Sequence, residues 1–258
     1  MSFLNPLFAA FTMYSKFPAP KTEWTSDTMA WALCFFPLVG VCIGAVLRLW
    51  LTLCRIAQFG AALSALGALA IPLILSGFIH MDGFCDTADA LSSNLSRERK
   101  LEILKDVHTG AFAVILSGLY LVAFFAAWFD LYRPNGGLAT VLCAGLVLSR
   151  ALSGLAAVTL PNARGSGLLA SFTQPMNLRA ARIVMLLWIA VAAGVMLYAN
   201  LICGVVSIVA AGVVFVYYLI MSRRQFGGIT GDLAGFFLQL CELAMVLALA
   251  AVRNILAV

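Results

Sequence analysis

Three aspartates, Asp82, Asp86 and Asp89, lie within one short stretch of a chain that has only 11 acidic residues. Their i, i+4, i+7 spacing places them on one face of a helix. No lysine or arginine stands three or four residues from any of them, so salt bridges along the helix do not offset their charge. Oxygen ligands of this kind suit Mg²⁺, which in turn binds phosphate. The spacing predicts a magnesium–phosphate site, with a solvated acidic helix surface as the alternative.

Two more residues of the same region could take part in this chemistry. Asp106 lies near the end of a short amphipathic helix predicted over residues 97–107, and would add a fourth carboxylate to the metal site. His80 stands two residues before Asp82, where it is a candidate for proton transfer or phosphate contact. An interfacial hydrogen bond is its alternative. The predicted catalytic residues are Asp82, Asp86 and His80.

Four positions elsewhere are candidates for phosphate binding. Gly228 and Asp232 belong to the string GGITGD before the last apolar run, where glycines allow close approach and a helix N-terminus favours an anion. The alternative is that Asp232 caps that helix. Arg164 lies beside a loop glycine, which suits a phosphate or simply a solvated loop. Arg150 lies inside an apolar run, so it must face an anionic ligand or an internal acid such as Glu242.

A lipid bilayer must surround the elements that position these residues. The chain is 63% hydrophobic and 10% charged, with a mean hydropathy of +1.03, whereas soluble domains carry about 25% charged residues. Runs of about 20 apolar residues can cross a bilayer. We predict an all-α polytopic bundle that forms a single domain over residues 1–258, with residues 80–110 as an acidic active-site loop. The seven predicted spans cover residues 30–54, 60–79, 111–130, 138–160, 182–198, 201–221 and 233–252.

Lysine and arginine predict the orientation of these spans. They are concentrated in the N-terminal arm and in the loops 80–110, 161–181 and 222–232. The positive-inside rule places these four segments, and hence the aspartates, on the cytoplasmic side. The net charge of +5 is explained by this distribution, and nucleic-acid binding is excluded because no single surface collects the charge. The seven cysteines contain no C-x-x-C pair and are expected to be buried and inert.

The string HMDGFCDTADAL, which begins at His80, resembles the H-x-D-G-x-x-D-T-x-D-G signature of the cobalamin synthase family, the adenosylcobinamide-GDP ribazoletransferases. The resemblance continues through SRERKLEILKDVHTGAF, through Ser149-Arg150 and Ala163-Arg164-Gly165, and ends with GGITGDLAG. The N-terminal FTMYSKFPAP and FFPLVGVCIGAVL also match the family's usual opening. The likeness therefore covers nearly the whole chain.

This resemblance implies a Mg²⁺-dependent enzyme of a bacterial cytoplasmic (inner) membrane. Such an enzyme transfers the adenosylcobinamide-phosphate group of adenosylcobinamide-GDP to α-ribazole or α-ribazole 5′-phosphate and releases GMP. Asp82, Asp86, Asp89 and Asp106 would be its metal ligands. Two alternatives are a CDP-alcohol phosphotransferase of lipid synthesis and a small-solute transporter. The oligomeric state, monomer or homo-oligomer, is left open.

Overall fold

The computed structural model describes residues 4–165, 171, 173 and 177–256, and its described part is a bundle of helices without a strand. One isolated parallel bridge joins Asn162 to Ile229. Residues 166–170, which belong to a loop that we predicted to be basic, lie outside the described part. The helices are Asn5–Tyr14 (α1), Ser26–Ala32 (α2), Phe36–Ile56 (α3), Ala61–Leu75 (α4), Ile79–Ser92 (α5), Arg97–Ile103 (α6), Ala111–Asp130 (α7), Gly136–Ala157 (α8), Leu178–Ala199 (α9), Leu201–Met221 (α10) and Gly231–Leu256 (α11).

Within the described residues, six helical stretches are long and apolar enough to cross a bilayer, and the bent pair α4 and α5 makes a seventh if it counts as one broken span. The two helices of that pair meet at 91°. α4 has only 15 residues, so the predicted second span is the least regular one. The prediction of an all-α polytopic bundle is confirmed, and the chain is a multi-pass membrane protein.

α8 forms the centre of the bundle and packs against α3, α9 and α11. Most of its side chains are buried. α9 and α10, in contrast, expose large aliphatic side chains such as Leu187 and Val213, each at least 60% accessible. Exposed aliphatic surface on a helix of this length suits contact with lipid.

α5 carries the three aspartates and packs closely against α7 and α11. The bend before it is formed by Gly77 and Phe78, both of which have positive φ. Gly83 lets α5 approach α11, since a Cβ there would lie 2.7 Å from the carbonyl oxygen of Asp232. On the inner side of α5, the ring of Phe84 stacks on that of Phe236 at 5.3 Å. The apolar face of α5 is thus fixed inward, and its acidic face turns toward the start of α11.

Two loops pair with each other next to α5. The N–H of Ala163 donates to the carbonyl oxygen of Ile229 at 2.9 Å, and the N–H of Ile229 donates to Pro161 at 2.9 Å. Gly228 is needed at this crossing because a Cβ would lie 2.2 Å from the carbonyl oxygen of Pro161. The pairing brings Arg164 to the first turn of α11.

α6 is shorter than the sequence predicts. It ends at Ile103 instead of continuing to residue 107, and Val107 is 90% exposed. On its surface, Nη1 of Arg99 lies 2.6 Å from Oε2 of Glu102. The predicted second acidic helix therefore does not reach Asp106.

Candidate active site

Three carboxylates from two helices converge where α5 meets the start of α11: Asp82 and Asp86 of α5 and Asp232 of α11. We call them the aspartate cluster. Asp86 lies within electrostatic range of Asp82, Asp232 and Asp89, and the guanidinium of Arg164 is the cation that acts on it. Asp82 is exposed, whereas Asp86 and Asp232 are half-buried. The structure therefore joins two of the four predicted metal ligands, Asp82 and Asp86, to two of the predicted phosphate-binding residues, Arg164 and Asp232.

Arg164 is held at the cluster by two contacts. Its Nη2 lies 3.0 Å from Oδ2 of Asp232 and donates to the carbonyl oxygen of Leu104 at 2.8 Å. Its Nε is buried without a hydrogen-bond partner. Thr230, and not Asp232, caps α11, because its Oγ1 accepts from the N–H of Leu233 at 3.2 Å. The alternative in which Asp232 caps the last helix is therefore wrong, and its carboxylate is available to Arg164.

Negative charge predominates at the aspartate cluster. Of its carboxylates, Asp232 pairs with Arg164, and no described lysine or arginine lies within salt-bridge distance of Asp82 or Asp86. Among the described residues, no group of three or more histidine, cysteine or acidic side chains is already drawn together at metal-binding distance. The donors are nevertheless carboxylate oxygens with uncompensated charge, the set that Mg²⁺ prefers. The cluster therefore fits such an ion chemically.

A cavity of about 260 Å³ opens next to the cluster and is lined by His80, Arg164 and Asp232 among others. The His80 side chain is only 6% exposed, and its Nε2 is buried without a partner. The ring lies 5.7 Å from that of Phe36 and near the guanidinium of Arg150. His80 thus lies at the cavity and near a cation, and its roles in proton transfer and phosphate contact stay predictions.

Asp89 and Asp106, the other two predicted metal ligands, have different partners. The carboxylate of Asp89 accepts from the N–H of Gly110 at 2.6 Å and from that of Ala113 at 2.8 Å, at the start of α7. Asp106 is exposed and accepts from the N–H of His108 at 3.0 Å. That bond and a second one from the His108 ring hold the pKa of Asp106 below its ordinary value. Metal binding by Asp89 and Asp106 stays a prediction. Their hydrogen bonds to other parts of the chain do not support it.

Arg150 and Gly228, the other two candidates for phosphate binding, have partners within the protein. The Arg150 side chain is 1% exposed, and its Nη1 lies 2.9 Å from Oε1 of Glu242 and 2.7 Å from the carbonyl oxygen of Leu146. Glu242 is therefore the partner of Arg150, as the alternative interpretation of Arg150 predicted. The N–H of Gly228 donates to the carbonyl oxygen of Ser222 at 3.2 Å, so it is not free to bind an anion. Gly228 instead allows the two loops to approach each other closely.

The family model described as cobalamin-5-phosphate synthase matches residues 6–250 of this sequence. The chain belongs to the cobalamin-5-phosphate synthase family. This membership confirms the resemblance drawn from the aspartate string, and it favours neither a CDP-alcohol phosphotransferase nor a transporter.

Curated relatives of this chain, among them the following three, carry the name adenosylcobinamide-GDP ribazoletransferase. The one from Lachnoclostridium phytofermentans is 42% identical over 256 residues, which cover 99% of this chain and 97% of the relative. The one from Pseudomonas putida is 36% identical over 234 residues, 90% of each chain. That from Clostridium perfringens strain 13 is 32% identical over 247 residues, 96% of this chain and 98% of the relative. No solved structure matches this chain.

Substitutions of Asp89 can show whether this residue binds the metal, as the family resemblance implies, or stabilises the start of α7. Replacing it with alanine is expected to lower the free energy of unfolding by about 1–2 kcal/mol, because two N–H groups at the start of α7 lose their acceptor. Asp89→Asn keeps one acceptor oxygen and should lose less. Thermal unfolding in detergent measures the effect, with the exposed Asp106→Asn as control. An Asp89→Asn protein of unchanged stability that needs far more Mg²⁺ for activity would contradict the capping role.

Proposed function

We propose that this protein transfers the adenosylcobinamide-phosphate group of adenosylcobinamide-GDP to α-ribazole or α-ribazole 5′-phosphate and releases GMP. The observation that carries the proposal is the aspartate cluster beside Arg164 and an open cavity, in a chain that matches the family over residues 6–250. The names of the relatives supply the substrates.

The reaction is a phosphoryl-type transfer. A ribose hydroxyl of the acceptor, for which we propose the 3′ position, attacks the phosphorus attached to cobinamide. A bond from that phosphorus to the ribose oxygen forms, and its bond to the oxygen of GMP breaks. The hydroxyl proton passes to a carboxylate oxygen that does not hold the metal ion, for which the second oxygen of the exposed Asp82 is our candidate. We propose that the Nε of Arg164, which is buried and has no hydrogen-bond partner in the protein, donates to a phosphate oxygen.

We propose Mg²⁺ as the cofactor, held by Asp82 and Asp86 with Asp232 beside them. When bound, such an ion neutralises the diphosphate and stabilises GMP as the leaving group. Without a cation, these carboxylates would repel the diphosphate of the donor. Asp232 also orients the guanidinium of Arg164 through their 3.0 Å contact.

We also propose that the aspartate cluster faces the cytoplasm in a bacterial inner membrane. Support comes from the basic residues that lie on the same loops as the cluster. Arg97, Arg99 and Lys105 belong to the segment that follows α5, and Arg223 and Arg224 precede α11. Such residues are retained on the cytoplasmic side of a membrane. Large nucleotide-activated substrates would then reach the cluster from the compartment that contains nucleotides.

The test uses the purified full-length chain in detergent. It is supplied with adenosylcobinamide-GDP and Mg²⁺, with either α-ribazole or its 5′-phosphate, and GMP is measured by chromatography. We expect GMP release that depends on the acceptor and is matched by formation of adenosylcobalamin or its 5′-phosphate. A parallel reaction with a CDP-linked lipid donor is expected to give nothing. Turnover of the CDP-linked donor alone would contradict the proposal.

A further inference from the structure

The cavity next to the aspartate cluster has a wall with both polar and apolar parts. Arg164 and Asp232 form the part at the cluster, and they pair with each other. α1 and α3 contribute Tyr14 and Phe36, whose rings contact each other with their centroids 4.3 Å apart and form an apolar patch. A ligand that fills this cavity therefore meets charged groups and apolar surface together.

Ser153 of α8 adds a hydroxyl to the cavity wall. The residue is only 3% exposed. Its Oγ forms no hydrogen bond within the part of the chain that the structure describes, and it is not one of the fully enclosed polar atoms, so it keeps accessible surface. Because Ser153 belongs to the wall, that surface lies on the cavity. Ser149, one turn earlier on α8, instead donates to Glu242 at 2.9 Å. The hydroxyl of Ser153 can donate to a ligand and accept from it.

Asn162, in the loop after α8, adds two donors to the same wall. Its Oδ1 accepts from the N–H of Arg164 at 2.9 Å and from that of Gly165 at 3.0 Å. Because only the oxygen of an amide can accept, these two bonds fix which way the side chain is turned. The NH₂ group has no partner among the described residues, and the half-buried side chain lines the cavity. Asn162 therefore has an NH₂ group available to a ligand.

Size and chemistry restrict the ligand of this cavity. A corrin macrocycle is too large for a volume of about 260 Å³. A lipid acyl chain would leave the hydroxyl of Ser153 and the NH₂ group of Asn162 unpaired, which is costly at a buried site. A free phosphate would leave the apolar patch uncovered. A ribonucleoside suits both parts, because its sugar hydroxyls pair with polar groups and its flat base covers apolar surface.

We infer that the cavity binds the nucleoside part of one of the two substrates and that Ser153 and Asn162 hydrogen-bond to it. This inference rests on the proposed function, which supplies two ribonucleosides: the guanosine of the donor and the α-ribazole of the acceptor. Both have the sugar hydroxyls and the flat ring that the wall matches. A nucleoside in this cavity lies beside Arg164 and Asp232, so its phosphate or its attacking hydroxyl is next to the aspartate cluster. Ser153 and Asn162 are thus specificity residues that contact a substrate.

The experiment measures binding of the two uncharged nucleosides, guanosine and α-ribazole, by equilibrium dialysis against the full chain in detergent. Ser153→Ala is expected to raise the Kd of one nucleoside by about 10-fold, the loss of one buried hydrogen bond, and not that of the other. Asn162→Asp keeps the oxygen that holds the loop and removes the NH₂ donor, so it should weaken the same nucleoside. Ser207→Ala is the matched control, since it removes a buried hydroxyl of α10 that borders a different cavity. Both constants should stay unchanged in this control.

The affected nucleoside identifies the substrate. A loss confined to α-ribazole assigns the cavity to the acceptor, and a loss confined to guanosine assigns it to the donor. Ala157→Leu, which adds volume to the wall from α8, keeps the test informative if Asn162→Asp fails to fold, and should weaken the same nucleoside. Equal losses for both nucleosides, or unchanged binding in the folded variants, would overturn the inference. The proposed function fails separately, if the wild-type chain binds a nucleoside through Ser153 but never releases GMP.

Discussion

Replacing Asp86 with asparagine is expected to slow GMP release by about 10²–10³-fold, the loss typical when one preorganised charged or polar group is removed from a reacting centre. Asp86 is half-buried between Asp82 and Asp232, and Arg164 is the cation that acts on it. Asparagine keeps the shape of the side chain and removes its charge. The rate of GMP release at saturating Mg²⁺ and substrates measures the effect.

This loss should occur without a loss of stability. Removing one of three neighbouring carboxylates relieves repulsion between like charges, so the Asp86→Asn protein should unfold at the same or a higher temperature. Asp130→Asn is the matched control, because Asp130 is exposed and is the last residue of the 20-residue helix α7, at the end opposite the N–H groups that Asp89 of α5 binds. A folded Asp86→Asn protein with near-normal turnover would remove Asp86 from the site.

The second large effect concerns stability. Replacing Glu242 with leucine is expected to lower the free energy of unfolding by about 3–5 kcal/mol, because the buried guanidinium of Arg150 loses the carboxylate that compensates its charge. The two side chains are 1% and 5% exposed and lie 2.9 Å apart. Ser149 also donates to the same oxygen of Glu242 at 2.9 Å. Unfolding of the variant in detergent micelles, followed by circular dichroism, gives this quantity.

The double variant Arg150→Met with Glu242→Leu distinguishes an uncompensated charge from lost packing. It should recover most of the stability, since replacing both members of a buried pair by apolar residues is often neutral. The exposed pair Arg99 and Glu102 serves as control, and breaking it should cost less than about 1 kcal/mol. A double variant as unstable as Glu242→Leu alone would contradict the pairing as the source of the effect.

The sequence predicts the helices well because the bilayer imposes their length and composition. The predicted spans 111–130 and 201–221 have the bounds of α7 and α10 in the structure. The same pattern fails at α6, a surface helix outside the bilayer. Its apolar period continues to Val107, but the helix ends at Ile103 and the chain turns toward α7. Periodicity reports which face is apolar and does not report where the backbone leaves the helix.

The site was predictable only where its residues are neighbours in sequence. The spacing of Asp82 and Asp86 places them on one face of α5, as observed. Their meeting with Asp232 depends on the close approach at Gly83, and Arg164 arrives through the loop pairing between Asn162 and Ile229. Neither contact is visible in a local pattern. Asp89 lies on the predicted face too, but its carboxylate accepts hydrogen bonds from N–H groups at the start of α7 and does not join the cluster.

The proposed reaction requires a divalent cation bound by Asp82 and Asp86. Mn²⁺ binding to the full chain in detergent, with adenosylcobinamide-GDP present, can be followed by the loss of the free-ion signal in electron paramagnetic resonance. The wild-type protein is expected to bind Mn²⁺ and to release it to excess Mg²⁺. The double variant Asp82→Asn with Asp86→Asn should bind at least about 10-fold more weakly. A folded double variant that binds Mn²⁺ as tightly as the wild type would contradict the assignment of this site.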